Sequence, residues 1–238
     1  MDKPKAALFW SGGKDSALAL DIVLKEDKFE VACLVTTLNR ELMRVSMHGI
    51  RDTLIDEQAM ATGVPLLKMW VSIGSNREYE DKLDELFQLL KKEDIEYIIY
   101  GDIFLEDIRS YREKILERNS MKGIFPLWKE NTSELMYRFI TSGFHAVTCC
   151  IDASVMNESL LGKEIDQVFI NALPEHVDPC GENGEFHSFA YAGPVFKSPI
   201  RFRKGEKVFR PVITNPGLDE SPIEMKKGFW FLDLLPGC

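Results

Sequence analysis

The twelve residues FWSGGKDSALAL, from Phe9 to Leu20, leave the chain few choices of fold. The apolar run KAALFW ends in Ser11-Gly12-Gly13, and a helical pattern begins at about Ser16. A strand that feeds straight into a helix leaves the first backbone N–H groups of that helix unpaired and aimed at one spot, which attracts an anion. Gly12 and Gly13 let the anion approach without a side chain in the way. Lys14 adds a point charge and Ser11 and Ser16 add hydroxyl donors, while Asp15 is placed to cap the helix or hold a cation. A tight Gly-Gly turn beside a solvated Lys-Asp pair is the plainer account, but every element here sits where a phosphate needs it. The common mononucleotide loop GxxxxGK followed by Ser or Thr does not fit, because Leu8 holds the position of its first glycine and Asp15 follows Lys14.

Strands and amphipathic helices alternate over residues 1–150, the pattern of a parallel sheet with crossover helices. FEVACLVTT and PLLKMWV read as strands, separated by a helix from about Gly49 to Gly63. Between Glu78 and Lys92, Leu83, Leu86 and Leu90 form one apolar stripe. The strand EYIIYGDI precedes a helix from about Glu106 to Asn119 that carries Ile108, Tyr111 and Ile115 inward. GIFPLW predicts a short strand, TSELMYRFITSG a helix capped near Thr132 and ended by Gly143, and HAVTCCI a strand. Beyond Asp152 the rhythm changes to one helix around Lys163–Leu173, a Pro/Gly-rich loop and short antiparallel strands, with RFRKGEK as a charged hairpin turn. The expected fold is therefore α/β, a doubly wound and mostly parallel sheet followed by a smaller mixed α+β region. The division is placed at 1–125 and 126–238, with a shared interface.

A second stretch, DPCGENGEFHSF, sets Glu182, Glu185 and His187 within six residues among glycines. On a strand, Glu185 and His187 would share one face and Phe186 and Ser188 the other. Close carboxylates hold magnesium, attract ammonium or take a proton from an attacking nitrogen. Gly101 and Asp102 end a strand at the edge where doubly wound proteins build their sites, so Asp102 is a candidate for a metal or for ordering Lys14. His145 and His176 read as structural or solvated, and Arg109 and Arg112 as a solvated helix face. The five cysteines lack a CxxC pair, which favours buried reduced thiols over disulfides or a metal site. A net charge of −9 argues against nucleic acid as a partner, and no apolar run is long enough to span a bilayer. A cytoplasmic protein is expected.

SGGKDS after a first strand resembles the pyrophosphate loop of the ATP pyrophosphatases, in the adenine nucleotide alpha hydrolase-like (HUP-like) superfamily. GENGEFHSF followed by AGPVFKSPI narrows the resemblance to the diphthine-ammonia ligase family, and YGDIFLEDIR, FPLW and SLLGKEID keep that family's order. The resemblance implies ATP and Mg2+ as cofactors, with Ser11, Gly12, Gly13, Lys14, Asp15, Ser16, His48, Gly101 and Asp102 around the nucleotide and Asp15 and Asp102 toward the metal. It implies a carboxylate that is adenylated and then amidated with ammonia, the carboxylate being that of diphthine on translation elongation factor 2. Lys14, Glu182, Glu185 and His187 are the catalytic candidates. Eukaryotic members are expected to carry additional C-terminal domains. A homodimer is allowed, although these residues do not read out the oligomeric state. Two rival readings are a tRNA-modifying enzyme of the same superfamily, which would want a cysteine pair or positive surface, and an ATP-binding sensor that does no chemistry.

Overall fold

A computed structural model describes residues 3–212 and 227–237. The expectation of a buried thiol at Cys238 lies outside the described residues. The first half builds β1 (Lys5–Phe9), α1 (Lys14–Glu26), β2 (Glu30–Asn39), β3 (Arg44–Val45), α2 (Asp52–Thr62), β4 (Leu66–Val71), α3 (Asn76–Lys92), β5 (Ile95–Ile99), α4 (Glu106–Arg118) and β6 (Lys122–Ile124). Strands β4, β2, β1, β5 and β6 lie side by side in that order and run parallel, and β3 folds back antiparallel on the end of β2. The chain winds outward from β1 in both directions, so the switch of direction falls between β1 and β5. Sheets of this kind hold ligands at that crevice, beyond the carboxyl ends of the strands. Helices cover both faces, which is why Ala6, Ala7 and Leu8 are fully buried and why β1 reads as a continuous apolar run.

The second half adds α5 (Thr132–Thr141), β7 (His145–Asp152), a 3-10 turn at Glu158–Leu160, α6 (Gln167–Ala172), β8 (Phe186–Ala192), β9 (Phe202–Pro211) and β10 (Gly228–Pro236). Its four strands form an antiparallel sheet in the order β8-β7-β10-β9. One apolar core runs without a break from Ala6 and Leu8 under the parallel sheet to Phe186, Phe189 and Leu234 of the antiparallel one. The second core, on the other face of the parallel sheet, collects Leu83, Leu86, Phe87 and Leu90 of α3 with Ile115 and Leu116 of α4.

Several expectations are corrected. Ile108 and Tyr111 are 38% and 39% exposed, so α4 buries only its last turns, while its Arg112 turns inward to the half-buried Asp102. The cap of α5 is Asn131, whose Oδ1 accepts the Glu134 N–H at 3.1 Å, one residue earlier than expected. The Lys163–Leu173 segment becomes helical only after Asp166, which caps α6 at Phe169 N. RFRKGEK is no turn: from Phe202 it belongs to β9 and pairs with β10, Lys204 opposite Leu234 and Lys207 opposite Leu232. Its charges sit on an edge strand, where they discourage pairing with another chain. The four described cysteines, Cys33, Cys149, Cys150 and Cys180, are free and buried, as expected.

Candidate active site at the carboxyl edge of the parallel sheet

Helix α1 starts at Lys14, two residues before its sequence pattern suggests, with Gly13 as a cap residue that has no side chain to offer. Gly12 takes φ +79, a left-handed value that a side chain would strain, and a Cβ there would meet Gln58 and Ile55 at 2.7 Å. Ser11 Oγ accepts the Gly13 N–H at 3.2 Å, and Ser16 Oγ donates back to the Gly13 carbonyl at 3.0 Å. The loop is thus pre-formed, with its hydroxyls and the first N–H groups of α1 gathered at the crevice. Gly101 lies just past β5, and a Cβ there would meet the Asp15 backbone at 3.1 Å, tighter than ordinary van der Waals contact.

The antiparallel sheet completes the loop from outside. Ser188 Oγ on β8 accepts the Lys14 N–H at 3.1 Å, and the Gly12 carbonyl accepts the Ala190 N–H at 2.9 Å. Gln58 of α2 fastens the junction: its Oε1 accepts from Trp10 Nε1 at 2.8 Å, and its Nε2 donates to the carbonyls of Gly12 and Ala190 at 2.9 and 2.6 Å. Gln58 is fully buried, so Gln58→Leu removes three hydrogen bonds at a site away from water and leaves the Trp10 indole N–H without the partner it has here. The expected loss is about 2–4 kcal/mol of stability, measured by urea unfolding, together with weakened nucleotide binding. A variant as stable as the parent would refute the role of Gln58 as the fastener.

Lys14 is buried with its Nζ 2.8 Å from Asp15 Oδ2 and over the Phe186 ring at 5.2 Å to the centroid. Burial works against its charge, yet Asp15, Cys180 and Glu182 together outweigh burial and raise its pKa. The cleft around it, about 310 Å³, is lined among others by Ser11, Asp15, Ser16, His48, Asp102, Glu182 and His187. Residues from both expected site stretches, nearly 170 positions apart in the chain, therefore face one space.

The three titratable groups of the second stretch divide their tasks. Glu182 Oε1 accepts from the backbone N–H groups of Ile103 and Phe104 at 2.8 and 3.3 Å, and burial lifts its carboxyl to about 7 against the pull of those two hydrogen bonds. Glu185 turns away from the cleft and organises the loop, its Oε1 accepting from Asp178 N at 3.1 Å and Asn183 Nδ2 at 3.0 Å. His187 lies in the cleft with its Nε2 buried and unpartnered, its ring 4.6 Å from that of His48. His48 Nδ1 faces the Ser188 carbonyl at 3.0 Å, which fixes that nitrogen as the protonated one. Burial holds His48 down to about 4, and burial with His48 and Lys14 nearby holds His187 well below the usual histidine range, so both rings are neutral at pH 7.

Asp102 also reaches the cleft, with its carboxylate engaged by Arg112: Nε is 2.6 Å from Oδ2, and Nη2 donates to Oδ1 at 3.1 Å. Arg112 is the residue that sequence reasoning missed most clearly. It was read as part of a solvated face, yet it lies on the Tyr100 ring at 4.2 Å and lines the cleft with Tyr79. Arg109 likewise sits over Phe125 and Trp128 at 4.5 and 4.4 Å while pairing with Glu113. The only sequence signal for either was an aromatic residue on a neighbouring element. Gln58 and Ser188 carried none. His145, largely exposed, has its Nδ1 3.3 Å from Glu164 Oε1, outside the cleft.

Comparison with known proteins matches the same two stretches. The family model described as the diphthamide synthase N-terminal domain matches residues 4–123, and that of the diphthamide synthase C-terminal domain matches residues 131–215. A diphthine–ammonia ligase from Danio rerio is 30% identical over 162 residues, covering 61% of this chain and 64% of that protein. One from Homo sapiens is 29% identical over 226 residues, covering 86% of this chain and 85% of that protein. One from Schizosaccharomyces pombe is 25% identical over 209 residues, covering 80% of this chain and 34% of that protein. The expectation of large additional regions in eukaryotic members thus fits the yeast relative and not the human one. Among the described residues, no helix is long and apolar enough to cross a membrane.

Proposed function

Because this chain belongs to the diphthamide synthase family, we propose that it is an ATP-dependent, AMP-forming ligase that adenylates a carboxylate and amidates it with ammonia, the carboxylate being that of diphthine on translation elongation factor 2. The observation that carries this reading is that Lys14 of the anion-binding loop and Glu182 of the second stretch face the same cleft. In the first step a carboxylate oxygen attacks the α-phosphorus of ATP, and the bond from that phosphorus to the bridging oxygen breaks to release pyrophosphate. The first-turn N–H groups of α1 beyond Lys14, the Ser11 hydroxyl and the Lys14 ammonium are placed for the charge that grows on the leaving group. Their positions are already fixed by Ser188 and Gln58, so little reorganisation is needed at the moment of reaction.

In the second step ammonia attacks the acyl carbon and AMP leaves. Only neutral ammonia is nucleophilic, whereas a carboxylate attracts ammonium. Glu182, with a pKa lifted to about 7, is matched to both tasks: ionised, it draws ammonium in and then takes the proton. The neutral His187 supplies a hydrogen-bonding nitrogen to the same space without adding charge. This chemistry explains the intact acid loop better than a sensor does, and the acidic chain suits it better than tRNA modification.

Magnesium fits the donor set in one way. No group of three or more acids, histidines or cysteines able to cage a metal occurs among the described residues. Magnesium on a nucleotide, however, takes most of its ligands from phosphates and water and needs only one or two carboxylates. Asp15 and Asp102 both face the cleft and would hold the ion, each already paired with a cation, Lys14 and Arg112 respectively. The ion would supply charge neutralisation on the phosphates.

The test is to mix the protein with MgATP, ammonium and elongation factor 2 bearing diphthine. AMP and pyrophosphate are expected, one of each per amide formed, and amide formation rises with ammonium concentration. Formation of ADP, or product that ignores ammonium, refutes the reading.

A further inference from the structure

Beside the nucleotide cleft lies a second cavity, about 700 Å³ against 310 Å³. Its walls come from β3 and the turn before it, from the loop ahead of α3, and from β9 and β10. The two spaces share Thr37, Val45, Ser46, Met47, Tyr79 and Arg112 in their linings, so they adjoin. Neither motif of the sequence accounts for the larger one.

Two observations say what it takes. The first is the residue at the junction. Asp102 engages the Nε–Nη2 edge of the Arg112 guanidinium, the Tyr100 ring lies against its face, and Tyr79 and Tyr100 also hydrogen-bond to it, which holds a cation fixed at the junction where it attracts an anion. The second is the mouth. Leu42, Met47, Ile73 and Val208, which are 36%, 62%, 63% and 42% exposed, all line this one cavity. Clustered exposed apolar side chains mark a contact with another macromolecule, and a small free acid has no use for them. Arg210 adds positive charge to the same lining, while the charge of Arg44 is matched by Asp233 at 2.8 Å.

We propose that the second cavity is the acceptor's entrance: a carboxylate carried on a side chain of a protein loop enters through it, the loop resting on Leu42, Met47, Ile73 and Val208 and the carboxylate meeting Arg112 where the two spaces join. This rests on the ligase reading, since that chemistry requires a carboxylate beside the α-phosphate. It adds where the acceptor lies.

Ile73→Asp and Val208→Asp are surface changes that leave both cores intact, and Arg112→Lys keeps the charge but loses the fork. For each variant, calorimetry measures a non-hydrolysable ATP analogue. Fluorescence anisotropy then measures binding of diphthine-bearing elongation factor 2 in the presence of that analogue, with no turnover required. Acceptor binding is expected to weaken about tenfold or more in all three, with nucleotide affinity within about twofold of the parent in Ile73→Asp and Val208→Asp, whose side chains lie outside the nucleotide cleft. Equal weakening of the nucleotide in these two would show that the cavity houses part of ATP and overturn the proposal. Acceptor binding unchanged by both aspartates would overturn it as well. If the parent protein fails to bind this acceptor at all, the diphthine reading itself falls, which separates the two failures.

Discussion

Lys14→Ala is expected to lower the rate of pyrophosphate release by about 10²–10³-fold, the usual cost of deleting one pre-placed stabiliser of a transition state. The buried ammonium sits in the loop that faces the leaving group, and neither loop serine carries a formal charge to replace it. Burial opposes its charge, and Asp15, Cys180 and Glu182 together outweigh burial, so the ammonium is kept charged inside the cleft. Lys14→Met is the informative companion, because it fills the same space without charge. Both variants should fold, with melting temperatures close to the parent's, since Asp15 is partly exposed and can turn to water. A Lys14→Met protein that releases pyrophosphate within about threefold of the parent's rate would remove the loop from the mechanism.

Glu182→Gln is expected to separate the two halves of the reaction. Glutamine keeps an Oε1 that can accept from Ile103 and Phe104, so the loop should hold its shape, but it cannot take a proton from ammonium. Amide formation should fall by about 10²–10⁴-fold while the first turnover still yields pyrophosphate. In the parent, amidation should rise with pH through about 7, as Glu182 ionises, and in the variant that step should vanish from the profile. Stability moves the other way. The folded-state pKa lies above the ordinary carboxylate value, so the folded protein favours the protonated form, and the stability this gives is lost as pH rises through about 7. At pH 8 the variant should therefore be more stable than the parent by about 1–2 kcal/mol, discounted for the partial exposure of the group, and at pH 4 the two should match. Urea unfolding at the two pH values checks this. Loss of pyrophosphate release in step with amidation would assign Glu182 to the wrong half-reaction.

Much of this site was legible because its chemistry is written in local runs. Ser11 to Ser16 form a turn whose purpose follows from helix-end geometry alone, and the three titratable groups of residues 182–187 stand too close together to ignore. The alternation of β1, α1 and β2 likewise carries its own period, and the parallel sheet follows from it. What escaped was whatever depends on long-range packing. Gln58 is one polar position on an ordinary helix until Trp10, Gly12 and Ala190 close around it. Arg112 reads as solvated beside its glutamates, and only the placement of α4 against β5 brings it to Asp102 and Tyr100. Glu185 and His187 were expected to point together into one space. The strand β8 begins only at Phe186, so Glu185 belongs to the preceding turn and is spent on Asp178 and Asn183.

The central claim is that a carboxylate oxygen attacks the α-phosphorus of ATP, and isotope transfer tests it most directly. With the acceptor carboxylate labelled with oxygen-18 and ammonium present, the account predicts that one labelled oxygen leaves with AMP, because the bond cut in the second step lies between the acyl carbon and that oxygen. Label found in orthophosphate, with ADP as the nucleotide product, would contradict it.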